Sequence, residues 1–478
     1  MAQRKEIEIC SLLVTPTYEE AILALKKLQG NTNNNLLKAV EDSKKYLIRT
    51  GISLDDLNRV PIIHIAGTKG KGSTCAYLES IIRNHGFKTA FYTSPHLVRV
   101  RERIKINGKP IDEEQFVNKF FHVYNILENL KENEFDMPSR LTFMTVLAFH
   151  LILAADIDLA IVEVGIGGEY DSTNIIQQPI CVGITLLEMD HMKVLGDDLS
   201  SIAWHKAGIF KANVPAYTVN QSPEAFDILR QRSIEKNCSL TTVSDDKLKI
   251  LNTYPPKLGI DSDVQFKNAA LAVQLAETFI KKFKYNNNQK IDFDKNIAEE
   301  ALKNTKWPGR TQIIHGKYLD IYLDGPQTHV SMKNCVDWFN KSITKYEINM
   351  TLKKILIFNS TGERHYLDDF NMLKSLNFDI VYFVPNVSET NSVDLQNSNL
   401  GFDEQMTNCK KHVESWSYSP AVIKKSLVSA LNDILDINKN NNNHKTMVLI
   451  TGCLYFVGTA LSILDENFVP NKKNIINF

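Results

Sequence analysis

The stretch from Pro61 to Leu97, PIIHIAGTKGKGSTCAYLESIIRNHGFKTAFYTSPHL, constrains this chain more than any other. It predicts an apolar strand at Ile62 to Ile65, a turn that sets Gly67, Gly70 and Gly72 around Lys69 and Lys71, and a helix opening at Ser73. Glycines let backbone N–H groups approach an anion closely, a helix start offers unpaired N–H groups and a positive dipole end, and a lysine adds a point charge. Gly67, Thr68, Lys69, Gly70, Lys71, Gly72, Ser73 and Thr74 therefore read as a phosphate cradle. The strict P-loop spacing is not met. With Gly70-Lys71 set on its Gly-Lys pair, Gly72 stands where Ser or Thr belongs and Ile65 where the first Gly belongs; the hydroxyl arrives one residue late, as Ser73. The competing reading, a glycine-rich turn without a ligand, leaves the strand before it and the helix after it unexplained.

At 478 residues the chain exceeds one ordinary core, and two domains are expected. Lys and Arg total 55 against 55 for Asp and Glu, so no basic field argues for nucleic acid, and small molecules are the expected partners. Seven cysteines without a CxxC pair point to neither a disulfide framework nor a zinc site and imply a reducing compartment. Glu6 and Glu8 lie near the start without an apolar signal core. The most membrane-like run, Leu141 to Ala155, is interrupted by Thr142, Thr145 and His150 and falls short of about 20 apolar residues. A soluble cytoplasmic protein without membrane association is the expectation.

Tyr18 to Lys27 and Leu36 to Ile48 read as amphipathic helices, with Asn-rich tracts at 286–288 and 440–443 read as surface loops. Strands are predicted at Thr89 to Thr93, Leu159 to Val164 and Ile180 to Leu187, with helices at Leu141 to Ala155, Ser201 to Phe210 and Asn268 to Phe283. Between them VRVRERIKI alternates Arg99, Arg101, Arg103 and Lys105 with mostly apolar neighbours, which in a strand puts four cations on one face, either a solvated edge or an anion-binding stripe. NTKWPGR at Asn304 to Arg310 is a junction, after which alternation restarts with strands at Leu319 to Leu323, Lys354 to Phe358, Ile380 to Val384 and Met447 to Thr451, and helical pieces at Ser331 to Phe339 and Ala421 to Ile437. This predicts an α/β fold of two units, residues 1–309 and 310–478, the first built on a mostly parallel sheet, with substrate in the cleft between them.

Parallel sheets bind ligands outside the carboxyl ends of their strands, and Ser94, Glu163 and Asp190-His191 fall there. A carboxylate ending an apolar strand needs a cation or donor, so Glu163 with Ser94 and His191 forms a candidate magnesium site beside the phosphates. Lys206, in IAWHKAGIF, has by itself only the reading of an ordinary solvated helix lysine. Asp324-Gly325 closes a strand and Arg310 precedes it, either an acceptor and cation facing a nucleotide or a turn aspartate and a linker arginine.

These motifs together resemble folylpolyglutamate synthases, the folate branch of the Mur-type amide ligases. HIAGTKGKGST, YTSPHLVRVRERIKING, AIVEVGIGGEYDSTN, MDH, AWHKAGIFK, WPGRTQ, YLDG and TGCLYFVG carry the likeness across nearly the whole chain, in wording of eukaryotic type. The resemblance implies a P-loop-type domain followed by a smaller Rossmann-like one. It implies an ATP-dependent ligase that activates a folate γ-carboxylate as an acyl phosphate for displacement by L-glutamate, in a monomer found in the cytoplasm or, as a longer isoform, in mitochondria. It assigns Ser94, Glu163 and His191 to magnesium and Lys206 to a carbamylated lysine near a second metal, and it admits a monovalent cation. Asn268 becomes an adenine contact, Arg310 a phosphate contact, and Asp324 the nucleotide-side aspartate, with Lys71, Lys206 and Asp324 taken as catalytic. Dihydrofolate synthase, or a chain with both activities, is the nearest alternative; a ligase-dead nucleotide-binding regulator and a cell-wall ligase are more distant ones. Two positions depart from the family: Gln327 replaces the expected His of DGAHT, and Cys453 the Ser of TGS. Gln cannot carry charge, and His329, two residues on, is read as a compensating group on an extended segment. Lower affinity or altered selectivity for glutamate, rather than lost phosphoryl transfer, is the expected effect.

Overall fold

The computed structural model describes residues 16–30, 36–283, 291–316, 319–347, 351–360, 366–387, 401–439 and 445–465. Eight strands form the first sheet: β1 (Ile62–Ala66), β2 (Thr89–Tyr92), β3 (Ile104–Ile106), β4 (Lys109–Pro110), β5 (Leu159–Glu163), β6 (Cys181–Ile184), β7 (Ala216–Val219) and β8 (Leu240–Val243). Their order is β4-β3-β2-β5-β1-β6-β7-β8, with only the β2–β3 and β3–β4 pairs antiparallel. The central strands are apolar at every residue but His64 and Glu163 because both faces are covered. Ile63, Ile65, Phe91 and Ile161 pack under the helices Lys71–Asn84 and Gln265–Lys282. Ile62, Tyr92, Ala160 and Val162 face the opposite layer, which includes Arg140–Ala154. Each Ile, Val or Phe among them contributes about 1.5–3 kcal/mol when fully buried.

Register fixes where the site lies. Ile65 pairs with Glu163 on one side of β1 and Ala66 with Ile184 on the other, so the carboxyl ends of β1, β5 and β6 come level. β1 leads through the Lys71–Asn84 helix to β2 on one side, while β6 lies on the other, which opens a crevice at that reversal.

The second sheet contains β9 (Gln312–His315), β10 (Leu319–Leu323), β11 (Leu352–Phe358), β12 (Ile380–Phe383), β13 (Ala421–Ile423) and β14 (Lys445–Thr451), in the order β13-β12-β11-β14-β10-β9. Only the β9–β10 pair is antiparallel. Period-two alternation again sorts its core, with Ile321, Ile355 and Val448 in one layer and Tyr322, Leu356 and Leu449 in the other. The two units meet where Leu97 and Val98 of the first pack into the second unit's core, and where Lys341 pairs with Asp263 at 2.9 Å.

The structure corrects four local expectations. The cradle helix opens at Lys71, not Ser73, because Gly70 at φ +90° already turns the chain into it. The segment 99–105 is not one strand: a 3-10 turn at Val100–Arg103 precedes β3, and the four cations go to four places. Arg99 lies over the Tyr18 ring, Arg101 donates to the Ile111 carbonyl at 2.9 Å, Arg103 is buried, and Lys105 sits 4.5 Å from the Trp307 ring centroid. Ala421 to Ile437 splits into β13 and a helix at Leu427–Lys439. His329 starts the His329–Glu347 helix and is exposed, so the extended alternation expected there is absent. The Asn-rich tracts at 286–288 and 440–443 lie outside the described residues.

Candidate functional site

Gly67 and Gly70 shape the loop after β1 through backbone needs that no other residue meets. Gly67 has φ +142°, and a Cβ there would lie 1.8 Å from Thr185 Oγ1; a Cβ on Gly70 would lie 2.1 Å from Asn268 Oδ1. The departure from the strict pattern at Gly72 also has a cause. A Cβ at that position would approach the Trp307 indole to 3.0 Å, so the junction tryptophan occupies the space a side chain would need. The N–H groups of Thr68 and Lys69 both donate to the Leu186 carbonyl at 3.0 Å, and the Thr68 hydroxyl to the Glu188 carbonyl at 3.1 Å, tying the cradle to the segment after β6. Ser73 Oγ lies 3.5 Å from Gln265 Nε2, whose Oε1 accepts from Asn268 Nδ2 at 2.9 Å. Thr74 Oγ1 is buried without a partner.

Three lysines converge on this loop. Lys71 and Lys206 both donate to the Gly67 carbonyl, at 3.0 and 2.8 Å, and Lys69 pairs with Asp190 at 3.0 Å. Lys206 is 3 % exposed, so the solvated-lysine reading fails for it. Burial, then the Lys71 charge, pushes its ammonium well below the usual lysine range. Burial lowers Lys69 too, against the pull of Asp190.

Glu163 ends β5 in this crevice, buried, accepting from the Thr93 hydroxyl and from Ser94 N–H at 3.4 Å. Burial raises its pKa, while Lys71, its hydrogen bonds and Arg310 oppose the rise. Its second carboxylate oxygen takes no hydrogen bond from the described residues. With the Ser94 hydroxyl, that oxygen makes a hard donor set suited to a cation that completes its shell with phosphate and water. Among the described residues no three His, Cys, Asp or Glu side chains form a metal cluster on their own. His191, held at φ +54°, follows Asp190 on the same rim. His191 is exposed on that rim; desolvation lowers its pKa, Asp190 opposes, and Lys71, Lys206 and Lys69 lower it further.

From the second unit, Asp324 is buried just beyond β10 and its Oδ1 accepts from Thr311 N–H at 3.1 Å. Arg310 donates to the Gly325 carbonyl and its charge acts on both Asp324 and Glu163. Thr328 Oγ1 reaches Glu188 Oε2 at 3.5 Å across the cleft. The structure thus brings Lys69, Lys71, Lys206, Glu163, Ser94 and His191 to one crevice, with Arg310 and Asp324 at its far wall. Asn268 packs behind Gly70, against the loop itself. Gln327 and His329 are exposed beside this wall, and Cys453 is buried just beyond β14.

Residue-by-residue reading missed Thr93, which holds Glu163, and Asp171, whose Oδ2 accepts from Gly165 and Ile166 N–H at 3.1 and 2.9 Å and so fixes the loop after β5. The Asp-Ser-Thr run at Asp171 carried a usable signal, since such aspartates cap turns. Trp307 had none.

No protein-family model matches the chain. It is 38 % identical over 453 residues to a mitochondrial folylpolyglutamate synthase of Bos taurus, covering 87 % of this chain and 77 % of that protein. It is 36 % identical over 496 residues to the folylpolyglutamate synthase of Neurospora crassa, covering 94 % and 92 %. Its fold is similar to that of Mycobacterium tuberculosis folylpolyglutamate synthase complexed with ADP and AMPPCP (TM-score 0.73, 20 % identity, 94 % of this chain and 99 % of that one). E. coli FolC in complex with DHPP and ADP gives a TM-score of 0.72 at 21 % identity, over 95 % and 100 % of the two chains.

Proposed function

The chain belongs to the folylpolyglutamate synthase family, ATP-dependent ligases of folate and glutamate, and from that premise we infer how its own residues carry the reaction. The carrying observation is the crevice itself, where two lysines share the Gly67 carbonyl of a phosphate-type loop beside a buried carboxylate. The cradle N–H groups and Lys71 bind the ATP phosphates, Lys71 leaving the Gly67 carbonyl to do so, and Arg310 covers them from the second unit. Asp324, opposite, orients the nucleotide, and Asn268 sits at the base of its site. Charge that develops on the transferred phosphoryl oxygens meets fixed cations in a crevice shielded from water.

Ser94, Glu163 and His191 would hold magnesium, which would supply neutralising positive charge to the phosphates when bound. Lys206 is the residue we assign to carbamylation. Its depressed pKa favours the neutral amine, the form that adds carbon dioxide, and the product carboxylate would face a second cation. The γ-carboxylate of the folate attacks the terminal phosphorus, ADP leaves, and the amine of glutamate then displaces phosphate from the acyl phosphate. Closure of the cleft, across which Thr328 already meets Glu188, keeps water from that mixed anhydride. We place the boundary between the two units at residues 309 and 310, and the active form as a monomer in the cytoplasm. No helix among the described residues is long and apolar enough to cross a membrane.

A heavy-oxygen label on the folate γ-carboxylate tests this route. One labelled oxygen should appear in the released phosphate for each glutamate joined; unlabelled phosphate with labelled amide would exclude the acyl phosphate.

A further inference from the structure

Of the four cations in the 99–105 segment, three are engaged with rings or carbonyls and one is not. Arg103 is 2 % exposed; its Nε donates to His96 Nδ1 at 2.9 Å, and its Nη1 is buried without any hydrogen-bond partner. A guanidinium offers five donors, and buried charges in folded proteins are ordinarily paired because desolvating a lone ion is costly. Among the described residues no carboxylate forms an ion pair with it. The acids within electrostatic reach are engaged elsewhere without pairing with it: Glu102 accepts from the N–H groups of Leu97, Val98 and Arg99, and Glu163 accepts from Thr93 and Ser94 through one of its two oxygens.

The neighbourhood adds more positive charge. Arg140, first residue of its helix and half-buried, is pushed down to about 10 by burial and then by Arg103. Its one hydrogen bond, from Nη1 to Gln29 Oε1 at 3.1 Å, is to a neutral group. Tyr92 and Tyr455 act on both arginines, Tyr455 from the second unit, so the spot is faced from both sides of the cleft. It also adjoins the chemistry. Thr93 N–H donates to the Arg103 carbonyl at 2.9 Å, and the Thr93 hydroxyl donates to Glu163.

We propose that Arg103 and Arg140 together bind the α-carboxylate of the folate's terminal glutamate. The proposal rests on the ligase reading above, in which the γ-carboxylate of that same residue is activated beside Glu163, a short methylene spacer away. Planar guanidinium edges match a carboxylate in two-point contact. An anion there supplies Arg103 with its missing counter-ion, relieves the repulsion between the two arginines, and fixes the terminal residue so that the γ- rather than the α-carboxylate meets the phosphate. An acceptor without an α-carboxylate, such as dihydropteroate, leaves a buried guanidinium unpaired and is selected against. The other source of the same chemistry is a carboxylate of the incoming glutamate, and the assay separates the two.

The full chain is assayed with tetrahydrofolate and with its α-carboxamide, unmodified and as Arg140→Gln and Arg103→Gln. In the unmodified protein the carboxamide should lower kcat/KM for the acceptor about 30-fold or more. Arg140→Gln should lose a comparable factor with tetrahydrofolate, lose little more with the carboxamide, and keep the KM for glutamate. Equal kcat/KM for the two acceptors overturns the proposal. A variant that raises the KM for glutamate while leaving the acceptor KM unchanged also overturns it, and gives the pair to the incoming amino acid. Thermal melting checks the buried Arg103→Gln; if it does not fold, the acceptor pair and Arg140→Gln still decide. Absence of glutamate-dependent ADP release with every folate overturns the ligase reading, and this proposal with it.

Discussion

At the scale of single residues, Lys206 shows what the structure adds. Its flanking sequence gave no reason to separate it from a surface lysine; its chemical setting, buried and donating to the Gly67 carbonyl beside Lys71, exists only once the Leu199–Lys206 helix is docked. Replacing it by Ala should lower kcat about 10²–10³-fold, the usual cost of removing one electrostatic stabiliser. Labelled bicarbonate should give a carbamate carbon signal in the unmodified protein that Lys206→Ala lacks. Glu163 and His191, by contrast, were legible, because an acid closing an apolar strand and a histidine after the next strand announce themselves by position. Gln327 is exposed, as a residue meeting a diffusing substrate should be. Gln327→His should shift the KM for glutamate with little change in the KM for ATP, and an unchanged glutamate dependence would remove that residue from selectivity.

At the scale of elements, the sequence located most of the strands buried on two faces, though not β7 or the buried helix Leu454–Leu464, and lost those that depend on neighbours. β1, β5 and β10 are mostly apolar runs, each with one polar residue, whose ends fall within a residue of expectation. β3 and β13 were missed as such because each is only three residues long, takes its partners from elsewhere in the chain, and sits in a mixed sequence that also suits a longer strand or a helix. The cradle is the most legible element and the least tolerant. Gly67→Ala would force a Cβ into Thr185 and a side chain onto φ +142°, so a loss of about 2 kcal/mol or more in stability is expected, with ATP binding lost in the folded fraction. Denaturant unfolding and nucleotide titration of the same preparation measure the two effects separately.

At the scale of the whole molecule, both units were recognisable from the alternation of strands and helices, but the contacts that join them were not. Lys341 with Asp263, Leu97 against Gly458, and Thr328 against Glu188 link residues far apart in sequence. Acid sensitivity is also a property of the whole. Burial holds His150 and His412 down to about 4 and His64 to about 3. All three lie below the unfolded value of about 6.5, so between these limits the unfolded chain binds more protons and stability falls as pH falls. Lowering pH from about 7 to about 5 should therefore cost about 2 kcal/mol for each of His150 and His412, and His412→Phe should flatten the dependence by its share. A flat profile in the unmodified protein would mean that these rings titrate alike in the folded and the unfolded chain.

The central claim is that one crevice, formed by the cradle, Glu163 and Lys206 and closed by the second unit, joins glutamate to a folate at the expense of ATP. Its most direct measurement is ADP and product formation by the purified chain with magnesium, ATP, glutamate and either tetrahydrofolate or dihydropteroate. The prediction is one ADP for each glutamate joined to tetrahydrofolate, and none when folate or glutamate is withheld. ATP bound without folate-dependent turnover, or product from dihydropteroate alone, would contradict it.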